Sequence, residues 1–270
     1  MAGHTDRAMV PATLPSPPMK RHHWLLLLAA LSGAPVARAQ GDIRDTSITI
    51  VPITLSYAYQ LPSGDMAQRF GANSNLGLSA SVKFKSNYSL GLEGGYLFGD
   101  KVIDRSMLRA MTTANGVVVN QDGEPASILL FERGFTVMAF AGKVIPIVGP
   151  NPNSGILLKL GGGYLAHKVL IQHQNDVVPA LEGDYLKGYD RLAAGPVGMF
   201  FVGYQHLGNN RFINFMGGFE LQVAFTKSMH PYQFDKGRSD GDTHVDGLTG
   251  FRFGWTLPIY KTRDTREYYR

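Results

Sequence analysis

The chain has 270 residues, 32 of them Gly and none Cys, with 11% aromatic and only 17% charged residues, more Gly and less charge than an ordinary globular domain carries. Without Cys there are no disulfides, thiolate metal sites or Cys nucleophiles, and no acceptor for a lipoprotein anchor; near-neutral mean hydropathy and the lack of an uncharged apolar run of about 18 residues exclude a bundle of transmembrane helices. Of the net charge of +5, residues 1–39 supply three, from Arg7, Lys20, Arg21 and Arg38 against Asp6, so residues 40–270 keep about +2 and give no argument for nucleic-acid binding.

The first element is a secretory signal peptide over residues 1–39. Lys20, Arg21, His22 and His23 precede the apolar run Trp24 to Leu31, and Ala37-Arg38-Ala39 supplies the small-residue exit. The run is too short to span a bilayer. Met19-Lys20-Arg21 makes an ordinary start for such a segment, which leaves Met19 as an alternative translation start. Residues 40–270 then form one domain.

From residue 48 onward, segments of 10 to 14 residues place bulky apolar side chains at every second position, the period of a strand. Eight such strands are expected, near 48–59, 75–84, 87–98, 134–146, 155–165, 193–207, 211–224 and 247–260. In the third, Tyr88, Leu90, Leu92, Tyr96 and Phe98 oppose Ser89, Gly91, Glu93 and Gly95. In the seventh, Ile213, Phe215, Phe219, Leu221 and Val223 oppose Asn214, Met216, Glu220 and Gln222. In the eighth, Phe251, Phe253, Trp255, Leu257 and Ile259 oppose Arg252, Gly254 and Thr256. The fourth and fifth alternate less cleanly.

The polar face decides where the apolar one points. A solvated exterior is rich in Lys and Glu, whereas here the polar positions hold Gly, Ser, Thr and Asn with single charges, which suits the narrow interior of a barrel. Tyr57, Tyr59, Tyr96, Phe98 and Tyr164 fall at one end of their strands, with Tyr88, Phe212, Trp255 and Tyr260 at the other, as two interfacial girdles do. With the start of residues 40–270 placed in the periplasm, connections alternate between short periplasmic turns, at Lys85-Ser86, 149–154 and 208–210, and long external loops, at about 60–74, 99–133, 166–192 and 225–246. The expected fold is therefore all-β, an eight-stranded antiparallel transmembrane β-barrel of the cell outer membrane, with a periplasmic β-sandwich as the alternative.

Such an interior requires paired charges, so Glu93 and Glu220 against Lys83, Lys159 and Arg252 are read as a lumen ion-pair network. A proton or ion path is the alternative reading. Loops 99–133 and 166–192 exceed a simple connector and carry apolar side chains. Tyr185, Tyr189, Asp190 and Arg191 are expected either in a cap over the barrel mouth or in an interface for an envelope protein partner, with Arg105, Arg109 and Asp184 as further fasteners. Asp240-Gly241-Asp242-Thr243-His244-Val245-Asp246 lacks the rest of a calcium loop and reads as a solvated acidic loop tip. Of the histidines at 167, 173, 206, 230 and 244, His167 and His173 flank the outer end of the fifth strand, with no neighbouring serine in an evident motif. No catalytic residue, metal or cofactor is assigned, and a non-enzymatic structural or partner-binding role in contact with outer-membrane lipid is the reading. A lipid-modifying enzyme or a narrow passive pore is the alternative.

The segments Asn151-Pro152-Asn153-Ser154-Gly155, Gly161-Gly162-Gly163-Tyr164, Lys187-Gly188-Tyr189-Asp190-Arg191-Leu192 and Gly254-Trp255-Thr256-Leu257-Pro258-Ile259-Tyr260 resemble small outer-membrane barrel proteins of Bacteroidota. The resemblance covers residues 48–260 in architecture and 150–260 in wording. It implies an accessory part of an envelope machine of the type IX secretion kind, with no catalytic residues to carry over. The ending Tyr268-Tyr269-Arg270 departs from the terminal aromatic signal of proteobacterial barrels.

Overall fold

The computed structural model describes residues 46–173, 177–208, 212–230, 232–234, 237 and 241–260. The expectations for residues 1–39, Asn209, Asn210, Asp240, the side chain of Tyr260 and the terminal Tyr268-Tyr269-Arg270 lie outside the described residues.

Eight antiparallel strands run β1 (Ile50–Gly64), β2 (Asn73–Lys83), β3 (Tyr88–Gly99), β4 (Ile128–Ile145), β5 (Gly155–His173), β6 (Ala193–Leu207), β7 (Asn214–Ser228) and β8 (Thr243–Tyr260). Each pairs with its sequence neighbour, and β1 pairs with β8 to close the ring. Tyr57 sits opposite Phe253 on β8. Followed the other way, through Leu76, Tyr96, Phe135, Ala166, Ala194 and Lys227, the same row arrives at Thr243. The ring therefore closes with a stagger of ten residues, which tilts the strands by roughly 40° and leaves an interior that side chains fill.

Parity along each strand decides which face a residue takes. Leu78, Leu90, Leu92, Leu160, Phe219 and Phe251 are all more than half exposed on the outer wall, a contiguous apolar belt far beyond what a soluble monomer shows water. Tyr57, Tyr59, Tyr96 and Tyr164 point outward at one end, with Tyr96 stacked on Phe98. At the other, Trp255 Nε1 donates to the Phe212 carbonyl and Lys143 lies 3.7 Å over the Tyr88 ring. A closed barrel with such a belt and two girdles is an outer-membrane protein.

The inward parity is only half polar. Met138, Phe140, Leu157, Leu165, Val197, Met199 and Phe201 form an apolar cluster inside the barrel on the β4–β6 side. This corrects the expectation of a mainly polar interior. It also explains the weak alternation of the fourth and fifth strands, which are apolar toward lipid and toward the lumen alike.

The β2–β3 connection is a tight turn over 84–87 in which Asn87 takes a left-handed backbone (φ 62°), a conformation that Asn tolerates. The segment 146–154 wraps the same end: Asn151 Nδ2 donates to the Leu207 carbonyl, and buried Asn153 donates to the Thr46 carbonyl and accepts from Ile48 N and Lys83 Nζ. At the opposite end β1, β4, β5, β7 and β8 run past the expected boundaries. The long connections shrink to 65–72, 100–127, 174–192 and 229–242, the first holding the short helix α1 (Asp65–Arg69).

The folded protein should migrate differently on a gel before and after boiling, and Leu92→Lys, at the middle of the belt, should cost about 2–4 kcal/mol of stability in lipid vesicles. A water-soluble folded species, or an unchanged stability, would contradict the outward placement of Leu92.

Candidate functional site

Two polar layers cross the lumen. The first lies at mid-barrel, where Arg252 projects inward between the belt residues Phe251 and Phe253. Its Nη1 is 2.9 Å from Glu93 Oε1 and donates to Ser56 Oγ at 2.8 Å. On the other side, Nη2 donates to Glu220 Oε1 at 2.9 Å while Nε stands 2.6 Å from Oε2. Gln60 and Gln222 also donate to Glu220 Oε1. Lys159 Nζ completes the layer 3.9 Å from Glu93 Oε2 and 4.7 Å from the centre of the Phe140 ring. Two cations face two carboxylates, so the desolvation of each charge is offset by its partners. Gly77 makes the layer possible on the β2 side, because a Cβ there would stand 2.7 Å from Arg252 Nη1.

Four of the five residues expected in this network, Glu93, Lys159, Glu220 and Arg252, thus meet. Lys83 does not. It lies at the periplasmic end, where Nζ donates to Asn153 Oδ1, Ser47 Oγ and the Ile48 carbonyl; its inward parity is correct, but it stands too far along the tilted strand to reach the acids. Between Lys83 and Lys159 remains a cavity of about 20 Å³ beside Ser79, Ser81 and Ser89, room for about one water.

The second layer closes the outer mouth. Asp246 is buried on β8, where it accepts from Arg69 of α1 at 2.8 Å and from Thr226 Oγ1 at 2.5 Å, with His167 Nε2 at 3.0 Å. Buried Glu132 accepts from Asn73 Nδ2 at 3.1 Å. This overturns the reading of Asp246 as a solvated loop tip: β8 begins four residues earlier than expected, and Asp246 shares the inward parity of Leu248 and Arg252. Parity extended past residue 247 was the signal that could have found it, as it was for Glu132 before Thr136. His167, packed edge-on against Phe70, likewise faces the interior rather than a lipid rim.

Above this layer the loops fold into their own core. Met66 and Phe70 of the first connection, Val102, Met107 and Val118 of the second and Val178 and Leu181 of the third pack on Leu97, Leu130, Val169, Ile171 and Leu248 from the barrel. The residues expected in a cap or interface divide accordingly. Arg191 ties the third connection to the second through Asp104 and Ser106 Oγ. Asp190 is buried, 3.0 Å from His230 Nε2 and 3.7 Å from Lys168 Nζ. Tyr189 packs against the cap core and beside Phe234, while Tyr185, next to the same ring, stays 64% exposed. Arg105 and Arg109 remain exposed, and Asp184 pairs with Lys187 on the surface. Among the described residues no group of three His, Cys, Asp or Glu is disposed to hold a metal.

No protein-family model and no curated protein matches the chain. Among solved structures it is similar to the attachment invasion locus protein Ail of Yersinia pestis, at 10% identity and a TM-score of 0.42 over 78% of this chain and 99% of that one. It is also similar to the N-terminal β-barrel domain of Pseudomonas aeruginosa OprF, at 11% identity and a TM-score of 0.32 over 81% and 100%. The class follows from the chain's own closed ring and apolar belt: an eight-stranded outer-membrane β-barrel with a filled lumen and a folded external cap.

Arg252→Met should cost about 3–5 kcal/mol, since it strands two carboxylates against one lysine. The double variant Arg252→Met/Glu220→Gln keeps a balanced Glu93–Lys159 pair and should recover much of the loss in denaturant titrations. At the mouth, Asp246→Ala releases Arg69 and His167, so limited proteolysis within 65–72 should accelerate while the heat-modifiable barrel persists.

Proposed function

We propose that this protein is a non-enzymatic component of the outer membrane, closed to solutes, that serves as a structural or partner-binding element through its external cap. The observation that carries the reading is the pair of polar layers: Arg252 with its two acids stands across the lumen, and Asp246 with Arg69 and His167 stands across it again, which argues against transport along the axis. What faces outward instead is a cap with a hydrophobic core. Tyr185, Tyr232 and Phe234 are exposed on it as an aromatic cluster, the residue types that anchor protein interfaces.

The finer form of the proposal is an accessory role in protein secretion within an envelope machine. Its support is the resemblance to Bacteroidota barrels over Lys187 to Leu192, the stretch that carries Tyr189, Asp190 and Arg191 into the cap.

The purified barrel should be electrically silent in planar bilayers, and should stay so when residues 104–126 are replaced by a short linker, because the Arg252 layer remains. Tagged protein purified gently from its own outer membrane should bring down an envelope partner, and Tyr185→Ala with Phe234→Ala should release it. A steady conductance, or recovery of the barrel alone, would contradict the proposal.

A further inference from the structure

The outward faces of the strands are nearly free of charge, and the exceptions share one sign. Among the described strand residues no carboxylate takes the outward parity. The outward cations are Lys143 at the periplasmic rim, and Arg133, Lys168 and Lys227 at the outer rim on β4, β5 and β7. A rim placed only to keep the barrel wet has no need to exclude Asp and Glu, whereas one that meets anions does.

Two of these cations stand over a notch in the wall. Arg133 and Lys168 are direct cross-strand partners, and the next pair toward the periplasm is Phe135 opposite Ala166. Ala166 points outward yet is only 5% exposed, because it forms the floor of a cavity of about 220 Å³ walled by Tyr96, Phe135 and Leu192 with Arg133 and Lys168 at its lip. The walls are apolar. The depth is fixed by the aromatic girdle: Arg133 pairs across to Phe98, and Phe135 to Tyr96, which puts the notch at the hydrocarbon boundary and the cations at headgroup level.

Arg133 is held in place by uncharged groups, and Lys168 is only partly compensated. Arg133 Nη1 donates to the carbonyls of Gly99 and Glu132, and its guanidinium lies 5.0 Å over the Phe131 ring. The acid facing Lys168 is Asp190, at 3.7 Å, which is also 3.0 Å from His230 and accepts from Leu192 N; the Lys168 side chain stays 42% exposed.

We infer that this notch is a lipid-binding site for a phosphorylated glycolipid of the outer leaflet, with one acyl chain against Ala166 and the phosphate between Arg133 and Lys168. A planar guanidinium beside an ammonium matches the oxygens of a phosphate. The apolar floor below takes the chain that a soluble anion lacks. The site lies on the barrel wall at the foot of the cap, which lends it Leu192, and does not depend on partner docking.

Native mass spectrometry of the whole barrel, in a neutral detergent with equimolar bisphosphorylated and dephosphorylated lipid A, tests the assignment. The phosphorylated form should be retained at least about tenfold better, as charge-assisted hydrogen bonds imply. Arg133→Gln/Lys168→Gln should abolish that preference. Ala166→Phe, which fills the notch on the lipid side, should reduce retention of both forms, with heat-modifiable migration checked for each variant. Equal retention of the two lipids, a preference unchanged in the double variant, or retention unchanged in Ala166→Phe would overturn it.

Discussion

Hydrocarbon offers no hydrogen bonds, so every backbone N–H and C=O within the membrane must find its partner inside the protein. The pairing of β1 with β8 along Ile50 to Gly64 meets that demand by removing both sheet edges. Eight strands with a ten-residue stagger then fix the width of the ring, and the width dictates that the interior be packed rather than wet. Packing requires either apolar side chains or charges that cancel. Both are used: Met138, Phe140 and Phe201 fill one side, while Arg252, Glu93, Glu220 and Lys159 compensate one another at the centre.

The outer third of the molecule obeys a different rule. There β4, β5, β7 and β8 rise beyond the belt, and their inward faces bind loop residues as well as one another. Arg69 on Asp246 and the packing of Phe70 on His167 draw the first connection down over the mouth, after which Met107, Val118 and Leu181 complete a small core on top. The cap thus depends on the barrel through Asp246 and through the apolar side chains Leu97, Leu130, Val169, Ile171 and Leu248 beneath it, whereas the barrel has its own independent closure lower down. That separation leaves the cap surface and the barrel wall available for different ligands, one protein and one lipid.

Much of the ring was legible because strand parity is a local property. Leu90, Leu92, Phe219 and Phe253 announced their face by spacing alone, and the same parity assigned Glu93, Glu220, Lys159 and Arg252 to the interior. Parity does not measure height. Lys83 has the inward parity yet belongs to the periplasmic plug with Asn153, because position along a tilted strand depends on a register that spacing cannot supply. Where β4 and β5 bury apolar residues on both faces, the alternation that marks a strand against lipid fades, and the lumen looked more polar than it is.

The sequence by itself determined the number of strands, the orientation of their faces and the alternation of short and long connections, since each follows from a two-residue period and from turn chemistry. Only the tertiary structure decided which inward charges touch, that Asp246 is buried beneath a cap rather than waving in a loop, and that Arg133 and Lys168 share one row above Ala166. These are relations between strands, set by the registers of their pairing and by the stagger at which the ring closes, and no pattern within one strand encodes them.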